Sequence, residues 1–108
     1  MEFTDNEFEV LDLVSEDGYS LAEVGSYLGP EVKPAETIEL ARSFLTRSFI
    51  ELYDRESSPE QPLSAADAER ALEGLTSVPF QTGDWHRFEA LATDSGEAAY
   101  RVAFEERH

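Results

Sequence analysis

The sequence predicts a mixed α+β fold in one domain, residues 1–108, on three observations. Two capping boxes stand before residue 24, and each opens a run of apolar residues at helical spacing. Two later segments, SFIELYD and WHRFEALAT, read as strands, the first through its aromatic and β-branched content. The chain has 108 residues and no cysteine, so it is long enough to bury one core and must do so without disulfides.

The first helix, 5–16, is opened by Thr4 and Glu7, whose spacing lets each side chain satisfy the other's backbone N–H. Phe3 and Phe8 have the spacing of a hydrophobic staple, Phe8, Leu11 and Val14 form the apolar stripe, and Gly18 offers a C-cap. The second helix, 21–28, repeats the device with Ser20 and Glu23 and ends at Gly29-Pro30. Pro34 suits the first position of a third helix, 34–47, where a missing N–H costs nothing. A strand over 49–53 follows. The segment DRESSPEQP has the composition of a solvated loop, and Ser64, Asp67 and Gly74 bound a fourth helix at 65–74. Residues 75 to 84 read as irregular and 86–92 as a second strand, with His86 packed within it.

The last segment, ALATDSGEAAYRVAF, admits two structures. As a β-hairpin, 86–93 paired with 97–105 through Asp94-Ser95-Gly96, it sets Phe88 opposite Val102 on an apolar face. As a terminal helix, 94–106, it is capped by Thr93 or Asp94, carries Glu97, Arg101 and Glu105 as a polar stripe, and buries Ala98, Ala99, Val102 and Ala103. Local pairing slightly favours the hairpin.

The order of a box-capped helix, SLAEVGSYLG, KPAETIELARSFLTR, FIELYD and a late ATDSGEAAYR resembles the winged helix-turn-helix domains of many bacterial regulators. In that family a Thr-x-x-Gly step commonly carries the second wing strand into a final helix, so the resemblance implies a winged-helix-like fold and the terminal helix. The helix at 65–74 departs from the pattern, standing where a wing loop would lie.

Charge is the strongest compositional feature, with 24 acids, 8 bases and a net charge of −16. Residues 1 to 32 hold nine acids and no base, residues 33 to 55 hold four of each, and the remainder eleven acids and four bases. Such a field repels nucleic acid and anionic membranes and attracts basic partners, although a general compositional bias produces the same totals. The absence of cysteine, of a leader-like N-terminus and of a membrane-length apolar run is what a cytoplasmic protein shows.

No motif for chemistry emerges. The only histidines are His86 and His108, no glycine-rich phosphate loop exists, and SEDG at 15 to 18 lacks the alternating ligands of a calcium loop. The expectation is therefore a chain with no cofactor, no metal and no enzymatic activity. Two functions remain. In the first, a protein-interaction or regulatory module of adaptor, inhibitor, immunity-like or DNA-mimic type binds a basic protein surface through Glu7, Glu9, Asp12, Glu16, Asp17 and Glu23. In the second, a DNA-binding regulator uses helix 34–47, with Lys33, Arg42, Arg47 and Arg55 as contacts. The charge balance opposes the second. Tyr100 and Phe104 exceed what one narrow helical stripe buries, which marks them as candidates for a homodimer contact.

Overall fold

Both capping boxes close. The Thr4 hydroxyl accepts from the Glu7 amide at 3.1 Å while the Glu7 carboxylate accepts from the Thr4 amide at 2.9 Å, and Ser20 and Glu23 reproduce the pair at 3.1 and 2.9 Å. The computed structural model describes residues 2 to 80 and 82 to 107, so His108 lies outside it. The first box opens α1 (Asp5–Glu16), which ends at an extended Asp17 rather than at Gly18. The ring of Phe3 meets Phe44 and Phe49, whereas Phe8 meets Tyr100, so the two staple residues anchor α1 to different neighbours.

Ser20 serves twice, as a residue of the two-residue strand β1 (Tyr19–Ser20) and as the cap of α2 (Leu21–Leu28). After Gly29 the chain enters α3 (Pro34–Thr46), one residue shorter than the expected 34–47 because Arg47 is its C-cap. Strand β2 (Ile50–Asp54) lies one residue later than the predicted 49–53.

The segment expected to be a loop forms β3 (Ser58–Pro62), antiparallel to β2. Helix α4 (Ala65–Leu75) then runs one residue past Gly74. A second correction falls on 86–92: residues 83 to 87 form the short helix α5 (Gly83–Arg87), and only β4 (Phe88–Ala92) is extended. The buried Trp85 dictates this turn. Its amide bonds to the Thr82 carbonyl, its indole N–H donates to the Val78 carbonyl at 3.1 Å, and the Phe80 ring packs on it edge-on. His86 is consequently exposed on a helical turn and is not a packed strand residue.

The chain ends in α6 (Asp94–Arg107), which overturns the hairpin pairing of 86–93 with 97–105. Its inward face is Gly96 and Ala103 with Ala99 and Tyr100 beside them, while Ala98 and Val102, expected to be buried, face outward. The sheet has the order β1-β4-β2-β3 with every neighbouring pair antiparallel, so the fold is α+β with β4 lying between the β1 edge and β2.

The entry into α6 is locked against the end of α3. Ser48 takes a left-handed conformation at φ 61° and turns the chain from α3 into β2. Its carbonyl accepts from the Thr93 hydroxyl at 2.6 Å, and the Phe49 carbonyl accepts from the Thr93 amide at 3.0 Å. The same hydroxyl accepts from the Gly96 amide at 3.0 Å, which caps α6. A Cβ on residue 96 would stand 2.0 Å from the Phe49 carbonyl oxygen, so only glycine fits there.

At the other end of β2, the buried carboxylate of Asp54 accepts two bonds from Arg87, at 2.8 and 2.7 Å, and one from the Ser57 hydroxyl at 2.7 Å. The Glu56 and Ser57 amides also donate to it. These partners, Arg87 foremost, hold the Asp54 carboxyl well below the usual carboxylate range despite its burial.

Gly96→Ala should lower stability by roughly 2 kcal/mol or more, since backbone must move to admit the methyl. Gly74→Ala, which meets open space inside α4, should raise it by about 0.5–1 kcal/mol. Denaturant midpoints check both, and a neutral Gly96→Ala would show that the junction is not tight. The lowered pKa of Asp54 contributes stability that is complete above about pH 4 and fades as pH falls towards its folded value. Asp54→Asn should therefore flatten the acid limb of a stability profile; an unchanged limb would contradict the clamp.

Candidate interaction face

Along α1 the side chains of Glu9, Asp12 and Glu16 recur at three- and four-residue intervals and share one outward face. Two tyrosines flank this row. On the α2 side, Tyr27 is 48% exposed and its hydroxyl donates to Glu9 Oε2 at 3.0 Å. On the α6 side, Tyr100 lies against the Phe8 ring, centroids 5.4 Å apart, with its phenol facing Asp12. Contact with Glu9, partial burial and the fields of Asp12 and Glu16 raise the pKa of Tyr27 above the ordinary phenol value. Burial and the neighbouring Asp12, aided by Glu16 and Glu9, push that of Tyr100 up to about 12. Two phenols on different helices thus register the same band of negative charge.

The other acids expected on this surface have different duties. Glu7 closes its capping box and accepts from Arg47 at 2.6 Å. Burial opposes its ionisation, but the Thr4 amide and Arg47 outweigh that and hold it below the ordinary glutamate value. Glu23 closes the second box, and the Ser20 amide lowers it. Asp17 accepts from the Gly18 amide at 2.8 Å where α1 ends. Of the six acids, the structure gathers Glu9, Asp12 and Glu16 into a row and employs Glu7, Asp17 and Glu23 as backbone caps.

The four candidate DNA contacts are dispersed. Arg42 is enclosed by Glu39 of its own helix and by Glu69 and Glu73 of α4, the latter two at 2.8 and 3.2 Å. Arg47 lies over the Phe3, Phe44 and Phe49 rings and bonds to Glu7 and Ser43. Arg55 bonds to Glu89 at 2.8 Å and to the His86 carbonyl at 3.2 Å, and it reaches Glu23 at 3.6 Å. Lys33 is exposed at the start of α3 and enters no ion pair among the described residues. Sequence spacing could not anticipate the capture of Arg42, because its captors lie 27 and 31 positions away.

Beside the acidic row, α1, α2 and α5 enclose an open cleft of about 400 Å³ lined by Leu13, Tyr19, Ala22, Glu23, Ser26, Tyr27 and His86. The spacing of the sequence makes Tyr19 a staple partner of Val24 and sets Tyr27 in the buried stripe of the second helix, but Tyr27 lies at the surface, where its hydroxyl meets Glu9, and His86 joins the cleft only because α5 is helical. On the far flank, Phe104 is 45% exposed with its ring 6.0 Å from that of Tyr100. The two dimer candidates therefore differ, Tyr100 being committed to its own α1 while Phe104 faces outward.

Among the described residues no three His, Asp or Glu side chains converge as a metal site would, and no helix is long and apolar enough to cross a membrane. Comparison with protein-family models, with curated proteins and with solved structures finds no match to the chain.

The fold favours the neutral Tyr100 phenol, so its contribution to stability is complete below about pH 10 and is lost as pH rises towards 12. A phenolate absorbance titration should show a late ionisation near pH 12 that disappears in Tyr100→Phe. Persistence of that step in the variant would place Tyr100 elsewhere.

Proposed function

We propose that this chain is a small acidic, non-enzymatic interaction module of winged-helix-like architecture that binds a basic protein surface through the outer face of α1 and the adjoining side of α2. The observation that carries the reading is the different treatment of the two charge signs. Arg42, Arg47, Arg55, Arg87 and Arg107 all enter ion pairs within the chain. No cation pairs with Glu9, Asp12 or Glu16 among the described residues. Three like charges held on one helix face repel each other, and a basic partner relieves that repulsion.

The winged-helix-like part of the reading is supported by element order. A short strand precedes α2, and β4 returns between that strand and β2, which directly follows α3. In this comparison β3, α4 and α5 occupy the position of a wing loop. The Thr93 to Gly96 step then delivers the final helix.

The same insertion weakens the DNA-binding alternative. Helix α4 packs on α3 and sets two carboxylates on Arg42, while Glu36 and Glu39 occupy the N-terminal half of α3, where phosphates would come close. A protein that grips duplex DNA neutralises several phosphates at once, and α3 offers no free arginine for the task.

Two titrations test the proposal. Oligolysine should bind with an affinity that falls as salt rises, shift the α1 amide resonances, and lose most of its affinity in a Glu9→Gln, Asp12→Asn, Glu16→Gln variant. Generic duplex DNA at moderate salt should not be retained. Absence of oligolysine binding would reject the proposal, as would salt-dependent duplex binding.

A further inference from the structure

We propose that the cleft between α1, α2 and α5 is an arginine-accepting pocket, seating the guanidinium of one arginine side chain from the basic partner against the Tyr27 ring. The inference rests on the functional reading above and adds to it a specific seat and a choice between the two cationic side chains.

The shape of the pocket comes first. Leu13 and Ala22 supply apolar surface, Tyr19 and Tyr27 supply rings, and about 400 Å³ of open space accommodates a long side chain together with its neighbours. Tyr27 has an unusual position for a large ring. It is half exposed, yet its hydroxyl is tethered to Glu9, so the ring is held in place instead of being free to fold over the cleft.

Charge selects the occupant. Glu9 and Glu23 stand at the rim, Asp12 and Glu16 add their field at Tyr27, and residues 1 to 32 contain no lysine or arginine to compensate them. An apolar guest would partly desolvate these carboxylates without adding a charge partner, and an anionic guest would be repelled. A cation with an aliphatic stem satisfies both wall and rim.

Arginine fits better than lysine for a geometric reason. A planar guanidinium lies flat on an aromatic face while its edge donates to carboxylates, whereas an ammonium keeps its strong hydration and binds as a point charge. The chain itself holds a guanidinium at this rim. Arg55 reaches Glu23 at 3.6 Å and bonds to the carbonyl of His86, so two residues that line the cleft already contact an arginine head group from its outer side.

Oligoarginine and oligolysine of equal length are the probes, titrated into the full chain and into Tyr27→Ala and Tyr27→Phe. Oligoarginine should bind about three- to fivefold more tightly than oligolysine, the scale of an exposed cation–π contact. Tyr27→Ala should erase that preference while leaving oligolysine binding in place, and Tyr27→Phe, which keeps the ring, should restore most of it. Side-chain resonances of Leu13, Tyr19 and His86 should shift with oligoarginine. Equal binding of the two peptides, unaffected by Tyr27→Ala, would overturn the pocket and leave the acidic-face reading standing. Failure of both peptides to bind would overturn the two together. Self-association of the chain that Tyr27→Ala disperses would also overturn the pocket, since its occupant would then be a second copy.

Discussion

The carbonyl oxygen of Phe49 occupies the space in which any side chain on residue 96 would have to lie. Four elements meet at this contact: α3 ends there, β2 begins, β4 ends and α6 begins. Thr93 binds the two successive carbonyls of Ser48 and Phe49 and caps the helix that Gly96 brings close. The direction of α6 follows, and with it the seat of Tyr100 on Phe8 and the contact of Arg107 with the Phe8 ring, Asp5 and the Phe3 carbonyl. The carboxylate row on α1 is thus bounded on one side by a helix whose position is set at the opposite end of the strand pair.

Composition states how many acids the chain carries but not where its few bases go. Arg47 joins α3 to α1, Arg42 joins α3 to α4, Arg87 joins the β2–β3 turn to the start of β4, and Arg107 joins α6 to the start of α1. Each links segments distant in sequence, and three of them, Arg47, Arg87 and Arg107, also lie over aromatic rings, which suits arginine better than lysine. Bases used at such junctions cannot neutralise the outer face of α1. The field there is as much a result of the placement of arginine as of the abundance of glutamate.

Helix starts were legible because capping is local: Thr4 with Glu7 and Ser20 with Glu23 require only a three-residue spacing, and both boxes form. The same locality explains the failures. Ser58–Pro62 has no β-branched or aromatic residue and contains two prolines, so nothing in SPEQP announces a strand; it is an edge strand with an irregular register, held by its neighbour. Trp85-His86-Arg87 has strand-like composition, but burial of the indole against Val78 and Phe80 imposes a helical turn. The hairpin at 94 to 105 was locally sound and lost to the Thr93 and Gly96 contacts with residues 48 and 49. The acids of the row were legible only as half of a set of six, because the capping duties of Glu7, Asp17 and Glu23 separate them from Glu9, Asp12 and Glu16 in the fold, and the cleft beside the row depends on α5 and was not legible at all.

The segment of β3, α4 and α5 that lies between β2 and β4 has an electrostatic consequence for α3. Without α4, Arg42 would project from the exposed side of that helix with only Glu39 nearby. With α4 docked through Ala68, Leu72 and Leu75, its charge is matched by Glu69 and Glu73 as well, and three carboxylates surround one guanidinium. The carboxylates outnumber the cation, so this cluster carries net negative charge. Removing α4 would therefore make the face of α3 more basic, and the segment that carries α4 turns the helix bearing Arg42 away from anionic partners. On the proposed reading, the acidic face of α1 and the net negative cluster around Arg42 on α3 favour the same class of partner, because a basic protein meets no positive field on either helix.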